Sequence, residues 1–101
     1  MILKHIAALA VLPLLLTACG SPDTESMRAG LQKSGLTAAQ ADCRSDALAG
    51  ALDADAFNQI ADYLNQGESF DEAAQRTRRK FGAEFREQLT AVKGALAACG
   101  G

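Results

Sequence analysis

Apolar residues recur along this chain at steps of three and four, and no stretch alternates strictly, so the pattern predicts helices throughout. The clearest stripe is Phe57, Ile60, Ala61 and Leu64. Asp53 stands ahead of it as N-cap, with Leu52 at N′ and Phe57 at N4 in staple spacing, and Gly67 follows as the stop. Thr37-Ala38-Ala39-Gln40 and Ser69-Phe70-Asp71-Glu72 read as capping boxes. The first box opens a helix whose expected buried face is Cys43, Ala47, Leu48, Ala51 and Leu52. Upstream, Ser21 as N-cap and Pro22 at N1 predict a further helix carrying Met27 and Leu31, with Lys33 and Gly35 marking its end. Gly30 lowers that helix's propensity.

The second capping box starts a longer stripe. Phe70, Ala74, Thr77 and Phe81 share a face, and Phe85, Leu89, Val92, Leu96 and Cys99 continue it in phase through Gly82. One helix over 70–99 would be ~45 Å long at 1.5 Å per residue. A globule of this chain's size has a radius of gyration near ~12 Å. Compactness therefore predicts a kink or short break at Phe81–Ala83. The expected fold is all-α, a small bundle of four or five short helices.

The first 18 residues stand apart. Lys4 and His5 precede an apolar run from Ile6 to Leu16, interrupted only by Pro13. Such a run spans only ~17 Å as helix, against ~30 Å of bilayer hydrocarbon, and suits the apolar core of a removable signal peptide. Leu16-Thr17-Ala18-Cys19 then resembles the lipobox of bacterial lipoproteins. The resemblance covers residues 1–20. It implies cleavage before Cys19 and acylation of Cys19 with palmitate-type chains, so that membrane lipid is a partner through that residue. Gly20, where Asp would imply inner-membrane retention, implies the periplasmic face of the outer membrane. The alternative is an ordinary signal peptide cut at Ala18 with Cys19 left as a thiol. The expected division is a signal over 1–18, a lipidated tether over 19–23 and a helical domain over 24–101.

Removal of the signal leaves 83 residues (101 less 18), enough for one small domain. Of these, 17 are Ala and 14 are larger aliphatic, Met or Phe residues, a thin core for a free-standing fold. With Cys19 acylated, Cys43 and Cys99 form an even pair in an oxidising compartment, and a disulfide closing the bundle is expected. A free reactive cysteine is the alternative. His5 leaves with the signal, so no histidine stays for metal ligation or for activating a nucleophile. No Cys-x-x-Cys supports a redox motif.

Charge separates along the chain. Residues 36–62 hold five Asp (Asp42, Asp46, Asp53, Asp55, Asp62) against Arg44, whereas residues 76–93 hold six Lys and Arg against Glu84 and Glu87. The candidate contact cluster is Arg76, Arg78, Arg79 and Lys80, for lipid headgroups, lipopolysaccharide or an acidic protein of the envelope. The other reading is a pair of solvated faces, with the late cations also favoured at a helix C-terminus. Asp42 and Asp46, spaced i, i+4, are a carboxylate pair without a second ligand type and read as a solvated face. Tyr63 reads as a half-exposed anchor beside the third helix's stripe. Formal net charge is −2, which gives no basic excess for nucleic acid. The segment Gly35 to Cys43, with a second cysteine some fifty residues on, is similar to small exported helical proteins of proteobacteria whose role is unassigned. That resemblance, loose over 35–99, implies a disulfide-closed helical domain and transfers no activity. The expected function is a non-enzymatic, membrane-anchored interaction or envelope module, without catalytic residues, metal or cofactor. Alternatives are an inhibitor or toxin-neutralising lipoprotein, and a small hydrolase or redox factor.

Overall fold

A computed structural model describes residues 20–100; the apolar leader and Cys19 lie outside the described residues. Five helices make up the domain: α1 (Thr24–Lys33), α2 (Ala38–Ala51), α3 (Ala54–Asn65), α4 (Phe70–Phe81) and α5 (Ala83–Cys99). No strand occurs among the described residues. Each helix packs mainly on two others, in the order α1, α3, α4, α5, α2 and back to α1, so the five close a ring. Met27, Leu31, Leu48, Phe57, Ile60, Leu64 and Phe85 fill its centre, all essentially fully buried. The thinnest seam of the ring is α4 on α5.

Local caps set most helix starts. Both capping boxes form: Thr37 and Ser69 accept from the N3 amides of Gln40 and Glu72, whose side chains reach back to the cap amides. The first helix starts later than Ser21. Asp23 is its N-cap, accepting from the Ser26 N–H at 3.1 Å. Asn58 of α3 explains the shift, because it accepts from the Asp23 N–H at 2.8 Å and donates to the Ser21 carbonyl at 3.3 Å. Those bonds hold residues 21–23 against α3 rather than in a helical turn. Asp53 does cap α3, but its side chain makes no cap bond; its N–H donates instead to Gln88 Oε1 of α5 at 3.1 Å. Gly67 stops α3, with the Glu68 N–H reaching back to Tyr63 and the Gly67 N–H to Leu64 in a Schellman arrangement.

The face that α2 buries differs from the expected one. Ala41, Ser45, Leu48 and Leu52 are buried, Ala47 and Ala51 only partly so, and Cys43 is exposed. Helix α2 lies between α1 and α5, and Cys43 serves the second contact at the margin of the core. Ser45, fully buried, donates to the Thr24 carbonyl at 3.4 Å. On α4, Thr77 is likewise fully buried and donates to the Ala73 carbonyl at 2.8 Å, while Phe70 and Phe81 are half-buried. Neither hydroxyl is orphaned, so neither carries the 1–3 kcal/mol or so that an unsatisfied buried group costs.

Two glycines do specific work. Gly30 sits where α1 crosses α3, and a Cβ there would lie 2.7 Å from Leu64 Cβ and 3.1 Å from Asn65 Nδ2. Its propensity cost in α1 is the condition for a close approach of α1 to α3. Asn65 secures the crossing by donating to the Ser26 carbonyl at 3.0 Å. Gly82 is the expected break. Its backbone (φ 76°, ψ −147°) is open essentially to glycine alone, and it ends α4 and starts α5 without any side-chain cap. The apolar stripe keeps its phase across the corner, so Phe85, Val92 and Leu96 still face the core.

The disulfide joins Cys43 of α2 to Cys99 at the end of α5, with Cα atoms 5.6 Å apart. Arg44 adds a hydrogen bond from Nε to the Gly100 carbonyl at 3.1 Å.

Gly30→Ala should lower stability by ~1–3 kcal/mol through overpacking at the crossing. Gly94→Ala, in a helix interior where a Cβ meets nothing within 4 Å, should raise it by ~0.5–1 kcal/mol. Urea midpoints of the two variants should move in opposite directions. Removal of the bridge by Cys43→Ser with Cys99→Ser should cost ~4 kcal/mol by the chain-entropy treatment for a sequence separation of 56, measured by denaturation of each form without reductant.

Candidate functional site

The packing of α4 divides the contiguous cations of its last turns. Arg76 pairs with Glu68, and its guanidinium lies 4.1 Å from the centroid of the half-buried Tyr63 ring. Lys80, one turn on, donates to Gln59 Oε1 at 2.9 Å and stands 5.8 Å from the Phe81 ring centroid. Both therefore turn toward α3. Arg78 and Arg79 are exposed, and their guanidinium groups make no ion pair or hydrogen bond among the described residues. Arg76, Arg78, Arg79 and Lys80 thus do not present one common patch.

Arg78 faces a groove of about 440 Å³ between α4 and α5, open to solvent. The volume falls in the roughly 300–1,000 Å³ range of small-ligand sites. Phe70, Ala74, Leu89 and Leu96 give it an apolar floor, and Arg78, Arg86 and Lys93 line it with positive charge. The groove exists because the α4–α5 seam is thin. The helices join at Gly82, but α5 is drawn toward α2 at its far end, leaving Phe70 and Leu89 half-exposed between them.

Position along the hairpin polarises the groove. Arg78 and Arg86 each lie four residues from the Gly82 corner, one on each helix. Asp71 and Lys93 each lie eleven residues from it, at the other end. Two guanidinium groups therefore stand near the corner, and a carboxylate offsets the ammonium at the far end. Neither Arg86 nor Lys93 makes an ion pair among the described residues. The contiguous run Arg76 to Lys80 dominates the sequence, but the groove draws one cation from α4 and two from α5. The signal for it is the 3-4-3 spacing of Arg86, Leu89, Lys93 and Leu96, which puts cations and apolar side chains on one face of α5.

The acidic segment is organised differently. Asp42 pairs with Arg28 Nε of α1 at 3.1 Å, and Asp46 is exposed. None of Asp42, Asp46, Asp53, Asp55 and Asp62 pairs with a late cation, although Asp55 and Asp62 line a shallow cleft with Lys80 and Phe81. Among the described residues no group of three or more His, Cys, Asp and Glu converges to hold a metal ion, and no helix is long and apolar enough to cross a membrane. Cys19, the expected acylation site, lies outside the described residues.

No family model, curated protein or solved structure matches the chain. The chemistry of the groove therefore stands on its own residues.

A double-mutant cycle on Glu68 and Arg76, read by urea denaturation, should return a coupling of ~0.2–1 kcal/mol, the range of partly exposed pairs. Arg76→Ala should cost ~0.5–1 kcal/mol more than Glu68→Ala because it also uncovers Tyr63. Arg78→Ala should stay within about 0.5 kcal/mol of the parent.

Proposed function

We propose that this chain is an exported lipoprotein, acylated at Cys19 and held at the periplasmic face of the outer membrane, where its helical domain acts as a non-enzymatic interaction module. The observation that carries the reading is Leu16-Thr17-Ala18-Cys19 placed between an apolar leader and the start of the folded domain. Each acyl chain contributes ~0.8 kcal/mol per buried methylene, and two or three chains on one residue anchor stably where a single chain does not.

The described domain supports the reading by how near to Cys19 it is held. Asn58 grips Ser21 and Asp23, so the folded domain is engaged only two residues after Cys19. Those two residues span at most ~7 Å. A domain so tethered would stand on the bilayer surface instead of sampling the periplasm on a long linker. The end from which the tether leaves is the N-terminal end of α3, close to Lys80 and the Gly82 corner. The interaction reading is supported by a groove that combines an apolar floor with unpaired cations.

The experiment is metabolic labelling with a palmitate analogue, together with membrane fractionation. The parent chain should carry the label and sediment with outer membranes. Cys19→Ser should lose essentially all of it. A label that persists on Cys19→Ser would sink the anchoring claim.

A further inference from the structure

The groove between α4 and α5 has two cations and no carboxylate at its corner end, one cation and one carboxylate at its other end, and an apolar floor between them. We propose that it binds a single-chain anionic amphiphile, of the fatty-acid or lysophospholipid class. The anionic head would sit between Arg78 and Arg86 at the corner. The alkyl chain would run along Ala74 and Leu89 toward Phe70 and Leu96. The proposal deepens the interaction reading above and rests on it, but not on acylation of Cys19.

Three observations carry it. First, Arg78 and Arg86 have no carboxylate partner among the described residues, so the corner has two guanidinium groups available. Guanidinium groups match carboxylate and phosphate oxygens in fork geometry, and charge-assisted bonds of this kind are about twice as strong as neutral ones. Second, the opposite charges in the groove are separated by end. Asp71 and Lys93 both line the end away from Gly82, where one carboxylate and one ammonium sum to zero and leave the net positive charge at the corner. An anion is therefore favoured at one end only, which fixes the direction of a bound chain. Third, the floor is apolar and only half covered: Phe70 and Leu89 remain half-exposed although both pack against the core. Each methylene laid on that floor leaves water and adds to affinity. A neutral amphiphile would gain the floor but not the corner, and a short anion would gain the corner but not the floor.

The test uses the full chain carrying Cys19→Ser, which removes an acyl anchor from the measurement. Lauroyl-lysophosphatidylglycerol is titrated below its micelle concentration and followed by backbone amide NMR shifts, with lauroyl-lysophosphatidylcholine as the zwitterionic control. The amides of Arg78, Arg86, Leu89 and Thr90 should shift with the anionic probe, and the control should bind at least tenfold more weakly. Arg78→Gln with Arg86→Gln should weaken the anionic probe about tenfold. Both positions are exposed and unpaired, so circular dichroism should show the fold unchanged. Equal binding of the two probes, unchanged affinity in the double variant, or shifts confined to the apolar leader would each overturn the proposal. These outcomes are separate from the labelling result, which addresses Cys19 alone.

Discussion

The bond between Cys43 and Cys99 sets the position of α5, and much of the domain follows from where α5 lies. The helix is held at one end by the Gly82 corner and at the other by α2. With both ends fixed, α5 closes the helical ring yet diverges from α4 along its middle. Phe85, Val92 and Leu96 reach the core, whereas Leu89 is left between the two helices. The thin seam and the groove are two aspects of the same divergence. A domain with 17 alanines and 14 larger aliphatic, Met or Phe residues has little else with which to fix so long a helix, and a covalent tie at its far end substitutes for side-chain bulk.

What the sequence made legible was mostly local. Thr37, Gln40, Ser69 and Glu72 declare their helix starts because a capping box uses only residues three apart. The α3 stripe of Phe57, Ile60, Ala61 and Leu64 was readable because one face of that helix does all the packing. The break at Gly82 came from a conflict between an unbroken pattern and a compact globule, resolved by a backbone state open to glycine. The disulfide joins the two cysteines left as an even pair once Cys19 is expected to be acylated. The features that escaped all depend on a second helix. Asp23 displaces Ser21 as cap because Asn58 holds the chain there. The α2 face rotates because Ser45, a polar residue, finds a carbonyl on α1 and can be buried. Gly30 reads as a weakness until Leu64 and Asn65 of α3 are placed against it.

The charge pattern shows the same limit. Six late cations look like one cluster along the chain, but helical geometry distributes them to different neighbours. Arg76 and Lys80 are spent on Glu68, Tyr63 and Gln59, where they help hold α4 to α3 and its loop. Arg78, Arg86 and Lys93 are not spent in that way. Contiguity in sequence thus marked residues with a structural use, while spacing by turns marked those that face the groove.

Asn58 fixes one further relation. By holding Ser21 and Asp23 it places the start of the described domain at the end where Lys80 meets Gln59 and the helices turn at Gly82. Arg78 and Arg86 lie at that end, and Phe70 and Leu96 at the other. If the chain is anchored through Cys19, an amphiphile in the groove would hold its charge toward the bilayer and its tail away from it. That is upside down relative to a lipid in the leaflet beneath. Such a molecule could not slide straight up from the membrane. It would have to turn end over end, so the groove's orientation suits monomers taken from the aqueous layer above the anchor.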